Sequence, residues 1–179
     1  MADANHIDVD RALGFAIPGR SARGRVVRLG QVATDILSAH AYPPAIEALL
    51  AEALALGALI GSTLKDDAGQ LTLQAQTDNG VVRLLVVDYR AGELRGYVDY
   101  DADQLAAAPA EPTLFALFGQ GYLAITFDMA TTGERYQGIV PLDGATLTEA
   151  AENYFVRSEQ IPSLLRVGVQ RVGGRIVAG

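Results

Sequence analysis

Residues 53–64 carry no charged side chain, and this run limits the possible folds more than any other stretch of the chain. It extends a helical pattern that begins at Pro43-Pro44, where Pro44 suits the first turn of a helix. Ile46, Leu49, Leu50, Ala53, Leu54, Gly57, Ile60 and Leu64 fall on one stripe of a helix over residues 44–64. Glu47 and Ala51 share the opposite face, which turns apolar after Glu52. A helix that is apolar all round is buried all round, so this one belongs at the centre of a domain with sheet or helix on both sides. Gly57 and Gly61 have the small-xxx-small spacing of paired membrane helices. Glu47, Glu52 and Lys65 nevertheless bound the uncharged run at 12 residues, short of the roughly 20 that cross a bilayer. The reading is a core helix, with no membrane partner.

The flanking segments read mainly as strands. Residues 12–17 and 25–29 form two strands around a loop at residues 18–22, and a short helix over residues 31–40 follows. Leu71-Thr72-Leu73-Gln74-Ala75-Gln76 alternates apolar and polar, the pattern of a half-buried strand. Asp78-Asn79-Gly80 predicts a tight hairpin turn with positive φ into a partner strand over residues 81–88. Gly92 turns the chain into a strand over residues 94–100, and Pro109 and Pro112 bracket a loop before a short helix over residues 113–118. A second hairpin joins residues 122–129 to 134–141 around Thr131-Thr132-Gly133. Thr146 and Glu149 form a capping box ahead of a helix that Pro162 ends. Residues 164–171 alternate as a strand, Gly173-Gly174 turns it, and another strand begins at Ile176. This order predicts an α+β domain, with mainly antiparallel sheets packed around a buried central helix.

Length and charge narrow the function. The 179 residues suit one domain, and the net charge of −7 argues against a nucleic-acid partner. The absence of cysteine rules out disulfides, a thiolate nucleophile and cysteine-ligated zinc within these residues. The acidic N-terminus has no apolar signal segment, which makes a cytoplasmic location the expectation.

No constellation carries chemistry convincingly. Gly119-Gln120-Gly121-Tyr122-Leu123-Ala124 matches a dinucleotide fingerprint in letters, but it follows a helical piece and opens a strand, so no helix N-terminus meets a phosphate. Asp99, Asp101 and Asp103 alternate like calcium-loop ligands. Gln104 then stands where glycine is needed, and Ala110 where a bidentate glutamate is needed. Arg20, Arg23, Arg25 and Arg28 form the densest basic cluster, with Arg23 and Arg25 on one strand face. They read as edge-strand protection or as a docking site for an acidic segment. His6 lies near the terminus, and His40 closes a helix where the dipole favours it. Glu134, Glu152 and Glu159 could serve as acid and base, with nothing in the sequence to bring two together. No catalytic, cofactor or metal residue is assigned.

Glu134-Arg135-Tyr136-Gln137-Gly138-Ile139-Val140 and Tyr154-Phe155-Val156-Arg157-Ser158-Glu159-Gln160-Ile161-Pro162 carry a family resemblance instead. With Arg23-Gly24-Arg25-Val26-Val27-Arg28-Leu29, His40-Ala41-Tyr42-Pro43 and Gly121-Tyr122-Leu123-Ala124-Ile125-Thr126, in this order and spacing, the chain resembles the heat-shock protein 33 family from about Asp10 to Gly179. The resemblance implies an ATP-independent holdase that binds unfolded proteins, is active as a homodimer, and is switched by zinc release and cysteine oxidation in a C-terminal domain. Residues 1–179 then read as the substrate-binding core, truncated before the linker and the zinc-binding cysteines. The expected client-binding side chains are Tyr122, Leu123, Ile125, Phe127 and Met129, with Val82, Leu84 and Val86. An edge left unpaired at the last strand would place the homodimer contact near residues 164–177. The alternatives are an enzyme with a motif-less carboxylate and arginine site, and a dimerisation module that binds no client.

Overall fold

The computed structural model describes residues 10–179; His6 lies outside them. The chain opens with β1 (Arg11–Ile17), β2 (Ala22–Arg28), α1 (Gln31–Ser38) and α2 (Pro44–Gly61). The meander β3 (Gln70–Gln76), β4 (Val82–Arg90) and β5 (Glu93–Tyr100) leads to two short helices, α3 (Ala102–Ala107) and α4 (Leu114–Phe118). The hairpin β6 (Tyr122–Asp128) and β7 (Arg135–Pro141) is followed by α5 (Leu147–Arg157), and β8 (Val169–Val172) and β9 (Arg175–Ala178) complete the series.

Five strands form one antiparallel sheet in the order β5-β4-β3-β6-β7. Leu71, Leu73 and Ala75 stand opposite Tyr89, Val87 and Leu85 on one side and Phe127, Ile125 and Leu123 on the other. Period-two alternation therefore puts all nine on one face, where α2 and α5 pack. The second side of α2 meets α1, the base of β2 and β9, so the helix lies between two layers as its all-round apolar surface requires. Twelve of its 18 residues are buried. By length and mean hydropathy α2 could span a bilayer, but 67% of it is buried inside the protein. Gly57 and Gly61 serve helix-on-sheet contact: a Cβ on Gly57 would come within 2.5 Å of Val87, and one on Gly61 would strike the Tyr89 ring.

Several local expectations change. Residues 77–81 form a five-residue connection in which neither Asn79 nor Gly80 has positive φ. Gly80 is needed for space instead, because its Cβ would lie 2.7 Å from the Phe118 carbonyl oxygen and 2.8 Å from that of Leu117. Two-residue hairpins with positive φ occur instead at Ala91-Gly92, with φ of 51° and 85°, and at Gly173-Gly174, with φ of 57° and 83°. Helix α2 stops at Gly61 rather than residue 64, and α1 at Ser38 rather than residue 40. Helix α3 falls on residues to which the sequence assigns no helix, capped by the Asp101 carboxylate accepting from the Gln104 N–H at 3.0 Å. Thr146 caps α5 as expected, but Glu149 accepts from the Ala145 N–H rather than from that of Thr146.

The last strands differ most. Residues 164–168 alternate without forming a strand, and pairing starts only where Gly168 and Gly179 exchange hydrogen bonds of 2.7 and 3.0 Å. Strand β9 pairs with β8 on one edge and, through Ala178, with Leu29 on the other at 2.8 and 3.0 Å. The last strand is therefore not the unpaired edge that the sequence suggests; β8, which pairs with β9 alone, is the outer strand of this sheet.

Candidate functional site

The second face of the five-stranded sheet has no helix or sheet packed across it among the described residues. Its centre is the polar side of β3. The Thr72 hydroxyl donates to Asp88 at 2.6 Å, Gln70 Nε2 donates to the same carboxylate at 3.2 Å, and Gln74 Nε2 donates to Gln76 Oε1 at 2.7 Å. Tyr122 donates its hydroxyl proton to Gln76 at 3.1 Å, and Gln137 Nε2 donates to Thr126 at 2.7 Å. Apolar groups flank this ladder. Leu84 and Val86 stand on β4 beside Tyr97 of β5, while Tyr122 and Ile139 stand on β6 and β7. Tyr97, Tyr122 and Ile139 are exposed and Leu84 and Val86 half-buried.

The expected client-binding residues divide accordingly. Tyr122, Leu84 and Val86 lie on this open face. Leu123 and Ile125 are wholly buried against the core, and Phe127 shares their face and is partly buried. Met129 follows β6 and is half-buried. Val82 shares alternation with Leu84 and Val86, yet it is wholly buried. A bulge at Arg83 shifts the register between Val82 and Leu84 and turns Val82 onto the core face. Tyr97 and Ile139 are open-face residues the sequence reading missed; register with β4 and β6 places them, and strand order is not local information.

A second apolar surface was also missed. Strands β1 and β2 form a two-stranded ribbon with Leu13, Phe15, Ile17 and Val26 on one face, 47–57% exposed. The signal was in the sequence: Leu13, Phe15 and Ile17 alternate with the small Ala12, Gly14 and Ala16. The Phe15 ring lies over Gly24, where any Cβ would collide with it. Arg23 and Arg25 share the ribbon's other face, as their spacing predicts. Asp10 ties the base, accepting from the N–H groups of Gly30 (2.6 Å) and Val32 (3.0 Å) at the start of α1.

A groove of about 760 Å³ opens between the first half of α2, α4, the start of α5 and residues 165–169. Leu49, Leu114, Leu117 and Leu147 are among its apolar lining, and Glu52, Glu111, Glu149 and Glu152 surround them. Glu52 accepts from the Thr148 N–H (2.8 Å) and hydroxyl (2.6 Å), which fixes the first turn of α5. Glu152 accepts from the Leu165 N–H (2.6 Å) and from Arg166 (3.1 Å), holding residues 165–166 at the groove wall.

The remaining polar clusters do structural work. The Tyr154 hydroxyl, in the core, donates to Glu159 at 2.6 Å. Burial, and then Glu159, push its pKa far up, and the same carboxylate raises Tyr136. Gly138 makes room for this cluster, since a Cβ there would strike the Tyr154 ring. The three glutamates considered as acid and base have separate partners: Glu134 is with Thr132, Glu152 with Leu165 and Arg166, and Glu159 with Tyr154. Asp99 pairs with Arg83 at 2.9 and 3.0 Å, which lowers its pKa, while Asp101 caps α3. Gly119 ends α4 at φ 59° and Gly121 leads into β6, so no helix follows the fingerprint-like letters. His40 lies against the rings of Tyr42 and Tyr97, and the Tyr42 hydroxyl accepts from the Val98 N–H (3.0 Å) and donates to its carbonyl (3.2 Å) on β5. Among the described residues no three His, Asp or Glu gather as a metal site, and with no cysteine in the sequence these residues do not fit a thiolate zinc centre.

Known proteins resemble the chain throughout. The family model described as Hsp33 protein matches residues 10–179. A 33 kDa chaperonin of Caulobacter vibrioides is 44% identical over 164 residues, 89% of this chain and 54% of that protein. One from Yersinia pestis is 37% identical over 177 residues, 98% of this chain and 57% of that protein. The crystal structure of the 33 kDa chaperonin (heat shock protein 33 homolog) from Thermotoga maritima superimposes with a TM-score of 0.67 at 24% identity, covering 86% of this chain and 55% of that one. The chain thus spans about half the length of the relatives it matches.

Proposed function

The chain belongs to the Hsp33 family, and from that premise we propose that it is the client-holding core of an ATP-independent chaperone. The supporting observation is the open sheet face, where Leu84, Val86, Tyr97, Tyr122 and Ile139 stay accessible around a hydrogen-bonded polar strand. An unfolding protein presents apolar side chains and unpaired backbone together. A face with apolar flanks and a Gln/Thr centre can take both, the first by desolvation and the second by hydrogen bonds. Holding needs no chemical step, and the proposal assigns none to the dispersed carboxylates. On this reading the protein works in the cytoplasm, on unfolded or misfolded proteins, as a homodimer.

The family's zinc-and-thiol switch finds no ligand in these residues. If the protein has such a switch, it lies outside residues 1–179. The test is suppression of aggregation, followed by light scattering, of a reporter enzyme unfolding by heat without ATP. Wild-type chain is expected to suppress it at near-stoichiometric ratio, and Leu84→Asp/Val86→Asp to lose most of that effect while keeping its circular dichroism spectrum. Unchanged suppression by a folded double variant would remove the open face from the function.

A further inference from the structure

We infer that Gln74 and Gln76 read the backbone of a bound client, so that the second face of the five-stranded sheet selects an extended segment whose consecutive residues are apolar. This rests on the client-holding reading above and names the form of client that the face takes. Cross-strand register sets the two glutamines inside the apolar part of the face: Gln74 stands between Val86 and Ala124, and Gln76 between Leu84 and Tyr122. Tyr97 and Ile139 lie one strand further out on either side of Gln74. The opposite end of the face is polar and bonded to itself, Asp88 with Thr72, Gln70 and Arg95, and Asp128 with Arg135.

Gln76 Oε1 accepts twice, from Gln74 Nε2 at 2.7 Å and from the Tyr122 hydroxyl at 3.1 Å. These two bonds fix both amides the same way round. They leave Gln74 Oε1 as an acceptor and Gln76 Nε2 as a donor, each without a partner among the described residues. Both glutamines are half-buried, yet no unpartnered side-chain polar atom is enclosed, so the two atoms reach the surface. An acceptor and a donor on two touching side chains are the complement of one residue of an extended chain, whose own N–H and C=O point to the same side. A segment lying along β3 with that edge turned down donates its N–H to Gln74 and accepts from Gln76. Its side chains then alternate to left and right, one towards Leu84, Val86 and Tyr97 and the next towards Tyr122 and Ile139. Adjacent apolar residues fill both sides. That is the pattern of a strand buried on both of its faces, which unfolding lays open. A helix cannot use the glutamines, because its backbone groups bond within the helix.

The test is fluorescence anisotropy of the wild-type chain, Gln74→Leu/Gln76→Leu and Leu84→Asp/Val86→Asp with two labelled probes. One is an unstructured peptide with a run of leucine and valine between polar ends, and the other a stapled helix carrying the same apolar residues on one face. Gln74→Leu/Gln76→Leu enlarges the apolar surface, so a face that holds clients by desolvation alone would bind both probes more tightly. Backbone reading gives the opposite sign for the unstructured peptide: its binding should weaken by roughly tenfold, since peptide groups drawn onto leucine lose water without a replacement. The wild-type chain should bind the stapled helix roughly tenfold more weakly than the unstructured peptide, and the glutamine variant should cause no further loss there. A wild-type chain that fails to bind the unstructured peptide, or Leu84→Asp/Val86→Asp that binds it as well as wild type, would overturn the open-face reading and this inference with it. If the aspartate variant loses binding while Gln74→Leu/Gln76→Leu, folded by circular dichroism, keeps or gains it, the glutamine assignment alone is overturned. A stapled helix held by the wild-type chain as tightly as the unstructured peptide overturns that assignment too, and this measurement needs no variant.

Discussion

Arg83 shows how much one residue can decide. As the bulged residue of β4 it changes which side chains face outward, and Val82 joins the core while Leu84 and Val86 stay on the open face. Val82→Asp should therefore cost more than about 3 kcal/mol, through an unpaired buried charge, and Val86→Asp less than about 1 kcal/mol. Urea unfolding of the two variants checks the bulge directly, and equal losses would contradict it. The bulge was not legible because alternation is local while register depends on the partner strand. Gly80 was legible as a glycine position but for the wrong reason: its constraint comes from carbonyls 37 and 38 residues away in sequence. Asp66 makes a second long-range tie, accepting from the N–H groups of Thr131 (2.8 Å) and Ala68 (3.1 Å). The Thr131 N–H, foremost, holds its carboxyl below the ordinary value of 3.8. Because the folded value is the lower one, this tie supports the fold at pH above the ordinary carboxylate range and is lost as pH falls through the folded value. Carbon-detected NMR titration of the Asp66 carboxyl should give a midpoint below 3.8, and Asp66→Asn should abolish this part of the acid response.

Among the elements, α2 was the most legible, since a helix without a polar side has only the interior to occupy. Leu54→Ala should cost roughly 2–5 kcal/mol, because Leu54 is wholly buried and the space it leaves is walled by sheet. Gly61→Ala should cost roughly 1–3 kcal/mol by forcing a methyl into the Tyr89 ring. Thermal or urea melts test both, and a wild-type melt for Gly61→Ala would show that helix and strand can separate freely. The half-buried β3 was equally clear from its alternation, and the capping threonine of α5 from its spacing. Helix α3 was hidden because its cap, Asp101, stood in a run of alternating aspartates that invited comparison with a metal loop. Residues 164–168 failed in the opposite sense. They alternate like a strand, but Glu152 accepts from the Leu165 N–H and the Arg166 guanidinium donates to the Leu165 carbonyl, so side-chain bonds occupy backbone groups that a neighbouring strand would need. The ribbon carries its apolar pattern openly, yet its lack of cover is a property of the rest of the molecule and appears only in the fold.

At the scale of the whole molecule, two separate apolar surfaces stay uncovered among the described residues, the second face of the five-stranded sheet and the β1–β2 ribbon. The two are distinct, so Leu84→Asp/Val86→Asp is expected to lower suppression of aggregation while leaving the ribbon intact. Redox state should not change that suppression. A thiol-dependent switch needs a thiolate to oxidise or a thiolate-bound metal to release, and these 179 residues contain no cysteine. The chain has two methionines, Met1 and the half-buried Met129, and sulfoxide formation is the one sulfur oxidation open to it. Suppression of reporter aggregation should therefore be the same in dithiothreitol and after mild peroxide, with intact-mass spectrometry used to confirm that neither methionine has gained oxygen. A gain of activity in peroxide without added mass would mean that oxidation acts on the reporter or the assay, and reporter-only controls would show it. A gain that accompanies oxygen on Met129 and disappears in Met129→Leu would place a redox response in this domain after all, at the end of β6, and would reject the prediction.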